Sequence, residues 1–257
     1  MTKKINRTLL SILAILLGLS PYFSEAEAQE IDAKKEYTRC MGLAKSKPQK
    51  GFDAAIAWVG LGGGDAAKHC LAVSLLELKQ YKEAATRLES LAQEIRAPKT
   101  FRASLFGQAG QAWLMADNPA HAENVLTAAI KLDPKNLNFY VDRAQIAAAQ
   151  KDFKRALKDL DKVLESEPGY VDALVFRASA KRQLNQRDSA AVDIGHALAK
   201  NEDHLEGLLE RGMLRRLLKD NSGARADWLK IIRLDPESET ARFARENIQN
   251  MDGAKVK

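Results

Sequence analysis

Three prolines, Pro134, Pro168 and Pro236, stand 34 and then 68 residues apart, so the chain is built on a 34-residue period. A unit of that length cannot bury its own apolar face, and stability comes from stacking it on its neighbours. With each proline at position 32, the units run 103–136, 137–170, 171–204 and 205–238, and an upstream unit runs 65–98. The register is expected to pass from Asp65 to Ser238 without insertion, with Glu202 standing where the fourth proline would fall. Position 8 is always small: Ala72, Gly110, Ala144, Ala178 and Gly212. Position 20 is alanine every time, at Ala84, Ala122, Ala156, Ala190 and Ala224, while position 24 is large and apolar, at Leu88, Leu126, Leu160, Ile194 and Trp228. Small residues at a fixed phase mark where two helices cross closely, with the large groups filling the space around the crossing.

Within each unit, apolar residues recur at helical spacing in two runs. In the third unit these are Leu137 to Ala149 and Phe153 to Glu165, separated by a turn at Lys151 and Asp152. Antiparallel helix pairs follow, and an all-α fold.

This pattern resembles the tetratricopeptide repeat, with small residues at positions 8 and 20, an aromatic at 17 and proline at 32. Tyr81-Lys82-Glu83-Ala84 and Phe153-Lys154-Arg155-Ala156 carry it best, and Leu132-Asp133-Pro134 and Leu234-Asp235-Pro236 give the usual unit ending. Position 17 departs from the pattern at Pro119, Arg187 and Asn221. The resemblance implies antiparallel helix pairs stacked as a right-handed solenoid. It also implies a concave groove lined by positions 2, 5, 9, 12 and 13 of the first helices. Carried onto this chain, those positions give Asn138, Val141 and Gln145, then Asp172, Ser179, Arg182 and Gln183, then Met213 and Arg216. Mixed amides, small apolar groups and a few arginines suit an extended peptide or a partner helix. Arg182 and Arg216, one repeat apart, are the pair expected to meet an acidic contact. The alternative is a face that is solvated or covered by the chain's own ends.

Arg143, Arg177 and Arg211 recur at position 7, and Asp159, Asp193 and Asp227 at position 23. A guanidinium fork matches a carboxylate, so the series reads as an internal fastening within or between units, with a ligand-binding ladder as the alternative.

The ends are irregular. Lys3, Lys4 and Arg7 precede an apolar run from Thr8 to Leu19, and Ala26-Glu27-Ala28 follows, which together read as an export signal over 1–28. Residues 29–64 read as an irregular leading helical unit, and 239–257 as a capping helix and tail. Formal net charge is +6 for the whole sequence, too small a surplus to argue for nucleic acid. Cys40 and Cys70 are the two cysteines, and in an exported chain they read as a disulfide fastening the leading unit, with two buried thiols as the alternative.

Sequence motifs for chemistry are absent. His69 precedes Cys70, but consecutive helix residues point apart and do not form a nucleophile pair. Gly60, Gly62, Gly63 and Gly64 lack the lysine and strand-to-helix setting of a phosphate loop. No metal site, cofactor or catalytic residue is expected. The sequence therefore reads as a non-enzymatic scaffold in the periplasm of a Gram-negative bacterium, binding peptide segments or helices of envelope proteins, with no membrane span after processing. The alternative is a structural subunit that meets an envelope polymer or membrane complex through its outer or terminal surfaces.

Overall fold

The computed structural model describes residues 32–253, so the segment read as an export signal lies outside the described residues. Thirteen helices follow one another among them, and no strand. The leading pair is α1 (Ala33–Ser46) and α2 (Pro48–Gly60). Five pairs follow: α3 (Gly64–Glu77) with α4 (Tyr81–Glu94), α5 (Lys99–Met115) with α6 (Pro119–Leu132), and α7 (Leu137–Ala149) with α8 (Phe153–Ser166). Then come α9 (Val171–Gln183) with α10 (Arg187–Lys200), α11 (Leu205–Leu217) with α12 (Asn221–Leu234), and last α13 (Glu239–Gly253). Each helix packs on the next in sequence, and the first helices α5, α7, α9, α11 and α13 also touch in succession. They form one continuous layer, as a tetratricopeptide-like solenoid requires.

The register has one insertion, contrary to the expectation of an unbroken count. Residues 99–102 lie between the first two units and are absorbed as an extra first turn of α5, which reaches 17 residues. A whole helical turn adds length without changing which face is buried, so the phase of the later units is unaffected.

The five regular pairs turn in the same way. The position-15 residues Lys79, Asp117, Lys151, Asn185 and Lys219 all have φ between 57° and 66°. At each of them the following N–H reaches the carbonyl five residues back, as in Asp152 N to Ala147 O at 2.8 Å. This left-handed closure satisfies carbonyls that the helix end would orphan. The next helix is then started by Asn118, Asp152 and Asp220, whose side chains accept from the N–H of His121, Arg155 and Gly223. Second helices end two residues before position 32 whether that residue is Pro134, Pro168 and Pro236 or Arg96 and Glu202. The proline therefore marks the end of the helix without being needed for it.

The five position-20 alanines are at most 1% exposed, which places them at the crossings. The position-8 residue sits under the position-24 side chain. A Cβ at Gly212 would lie 2.3 Å from Trp228 Nε1, and one at Gly110 would lie 2.6 Å from Leu126 Cγ. Trp228 is the largest group at its phase, and it demands a residue with no side chain opposite.

Cys40 and Cys70 form a disulfide that ties α1 to α3 across a Cα–Cα distance of 6.2 Å. Beside it, Ala55, Trp58 and Leu75 make a small apolar cluster.

Candidate functional site

The position-7 and position-23 series pair within their own units, joining the first helix to the second. Arg143 Nε and Nη2 donate to Asp159 at 2.8 and 2.7 Å. Arg177 meets Asp193 at 2.9 and 2.7 Å, and Arg211 meets Asp227 at 3.0 and 2.6 Å. All three carboxylates are buried. Lys181 and Arg215, one turn further along their helices, add a second cation to Asp193 and Asp227 at 2.7 and 2.8 Å. Burial pushes the Asp193 carboxyl up, but its bonds to Arg177 and Lys181 outweigh burial and hold it below the ordinary value.

The groove residues are disposed less openly than their phase suggested. Val141 is 5% exposed and belongs to the core with Ala144 and Ile146, so it does not line the surface. Asn138 accepts from the Tyr170 hydroxyl, and Asp172 lies 2.9 Å from His204 Nε2, so position 34 folds back onto position 2 of the same unit. In the last unit Glu206 at position 2 instead accepts from Thr240 of α13, beyond the unit's end, at 2.9 Å. Arg216 donates to Asn221 at 2.9 Å. Arg182 donates to the buried Glu210 at 2.5 and 3.2 Å, which corrects the expectation that it is free to meet an acidic group of a partner. Gln145, Ser179 and Met213 are half-buried and Gln183 is exposed, and these remain presented by the first-helix layer.

A cavity of about 250 Å³ opens between α5 and α7. Gln111, Leu114 and Met115 bound one side, and Asp142, Gln145 and Ile146 bound the other, over Leu126. Asp142 is the one charged residue in that lining. Gln111 Nε2 donates to it at 3.1 Å, and among the described residues it makes no ion pair. Burial pushes its carboxyl above the ordinary value, and the Gln111 bond opposes this only in part. Sequence phase alone passed over Asp142, since position 6 is not among the family's groove positions.

A second cavity, of about 270 Å³, lies at the leading end between Tyr37, His69, Phe101 and the apolar Leu91 and Ile95. His69 Nδ1 is 2.7 Å from the Tyr37 hydroxyl and Nε2 is 3.3 Å from Gln108 Oε1. A neutral ring satisfies both, accepting from Tyr37 and donating to Gln108, and burial holds its pKa below the ordinary histidine value against the Gln108 bond. Among the described residues no group of three or more His, Cys, Asp or Glu is placed to hold a metal ion. No helix among them is long and apolar enough to cross a membrane.

No family model matches the chain. Two curated relatives, the DnaJ protein P58IPK homologs B and A of Oryza sativa subsp. japonica, are 32% and 31% identical over 101 residues, 39% of this chain. The match covers 21% of each relative, so it speaks for about a fifth of their length. Among solved structures, a tetratricopeptide repeat protein from Parabacteroides merdae superposes with TM-score 0.69 over 86% of each chain at 13% identity. PilW, described as a widely conserved type IV pilus biogenesis factor, gives 0.65 at 16% identity over 82% of this chain and 97% of its own. MamA from Desulfovibrio magneticus RS-1 gives 0.56 at 16% identity over 68% and 97%. The helix pairs, the common phase of their crossings and turns, and these likenesses together establish that the chain has the tetratricopeptide-repeat fold.

Proposed function

We propose that this chain is a non-enzymatic scaffold that binds peptide segments or helices of envelope proteins along its layer of first helices, in the periplasm. The observation that carries the reading is the continuous first-helix layer, which presents Gln145, Ser179, Gln183 and Met213 at repeat-related places and opens into the cavity between α5 and α7. A row of amides and adaptable apolar groups on a rigid support suits an extended chain or a helix laid across it. Export rests on the charged and apolar pattern of residues 1–28 and on the disulfide, which persists in an oxidising compartment.

Two measurements test this reading. A photo-crosslinking residue at Gln145 or Gln183 in living cells should trap a defined protein segment, and one at Lys158 or Val192 on the second helices should not. Capture only through the second helices would transfer the function to the outer surface. Cell fractionation with N-terminal sequencing should find a periplasmic protein beginning near Gln29, and a cytoplasmic protein that keeps its first 28 residues would sink the assignment of compartment.

A further inference from the structure

The chain itself shows what a carboxylate at position 6 of a first helix takes. In the last unit that residue is Glu210, 5% exposed, and it is occupied by Arg182 from position 12 of the preceding unit. Asp142 stands at the same phase two repeats earlier. There the preceding unit offers Leu114 at position 12, so no arginine arrives and a cavity of about 250 Å³ is left in front of the carboxylate. The place is thus formed like the Arg182–Glu210 contact with its cation missing.

We propose that the cavity between α5 and α7 receives a lysine or arginine side chain of the bound partner segment, with Asp142 as its counter-charge. The inference rests on the first-helix layer being the binding face. The aliphatic stem lies against Leu114, Met115 and Ile146, and the charged head reaches Asp142 between the amides of Gln111 and Gln145. Such a side chain buries methylenes while satisfying a carboxylate that otherwise keeps one hydrogen bond. The surroundings have the matching sign. Burial first, and then the negative charges of Asp172, Glu167 and Asp142, raise the Tyr170 hydroxyl above its ordinary pKa, so the charges felt at that hydroxyl beside the cavity are acidic ones. The expected partner is therefore basic at this point, opposite in sign to a partner drawn by free Arg182.

The test selects peptides on the intact chain from a random 12-residue library displayed on phage, followed by affinity measurements on the best binders. Selected peptides should share a lysine or arginine, and changing it to norleucine should weaken binding at least about tenfold. Asp142→Asn keeps the shape and should give the same loss. Leu114→Arg supplies the missing cation from within and should also abolish binding, with the melting temperature unchanged or higher. Binding should weaken as pH falls through the raised Asp142 value. Gln183→Trp separates the two readings, because it obstructs the face one unit away without touching the cavity. Peptides weakened by Gln183→Trp but indifferent to Asp142→Asn and Leu114→Arg would overturn the basic-side-chain inference alone. Peptides indifferent to all three substitutions would overturn the groove reading as well. Selection without enrichment of basic residues overturns the inference whatever the variants do.

Discussion

The two ends of the array solve one problem with different chemistry. In the units 137–170, 171–204 and 205–238, a bidentate Arg–Asp pair joins the two helices of each unit, with both partners at fixed phase. In the units 65–98 and 103–136 the same two positions are Leu71 with Arg87 and Ala109 with Val125, and no such pair exists. The leading end is held instead by the Cys40–Cys70 disulfide and by the neutral His69 hydrogen-bonded to α1 and α5. The repeat thus fixes where helices cross and leaves open how they are fastened. Among the described residues the leading pair packs on one neighbouring pair, and the covalent tie lies there.

Four measurements probe that difference. Arg143→Leu leaves Asp159 buried without its cation and should lower stability by about 3 kcal/mol, whereas Arg143→Leu with Asp159→Leu should recover most of the loss. Equal losses in the single and double variants, read by chemical denaturation, would show that the carboxylate was never stranded. Reducing the disulfide, or Cys40→Ala with Cys70→Ala, should cost about 3 kcal/mol on a chain-entropy estimate. That loss should appear as faster proteolysis within α1 and α2, while hydrogen exchange in α9 to α12 stays unchanged.

The third difference is one of pH. The lowered His69 pKa means that the unfolded chain takes up the proton first, so stability is lost as pH falls from the ordinary histidine value toward the folded one. The lowered Asp193 pKa loses its contribution only as pH falls below the ordinary carboxylate value. On acidification the leading end should therefore loosen before the ion-paired units, and His69→Gln should remove that early phase from a pH series of amide exchange. The smallest effect belongs to the turns, where both regions agree. Lys151→Gly relieves a left-handed residue with a side chain and should stabilise by up to about 1 kcal/mol, by thermal melting.

Much of this architecture was legible because a period gives every position several independent readings. The alanines at position 20 predicted the crossings, and the Arg and Asp series predicted a fastening whose partners the structure identifies as members of one unit. The position-15 turn carried no such signal. Lys, Asp and Asn stand where glycine would have announced a positive φ, and the closure comes from the backbone bonds of the preceding helix. The groove was the least legible part. Phase places Val141, Asn138 and Arg182 on a face, but Val141 sinks into the core, while Asn138 and Arg182 are taken by Tyr170 and Glu210. Asp142 went unnoticed because its significance lies in Leu114, a neighbour from another unit that fails to supply a charge.

The Arg182–Glu210 contact has a consequence for how this array can be cut and rejoined. The Arg–Asp pairs travel with their own unit, so a single unit can be excised in frame without parting them. Glu210, by contrast, draws its cation across a boundary, which keys the unit 205–238 to the one before it. Excising 137–170 should leave each remaining buried carboxylate partnered, whereas excising 171–204 should strand Glu210 against Ala148. The modules are alike in shape, but the buried carboxylate of the last unit is matched to the arginine of one particular neighbour.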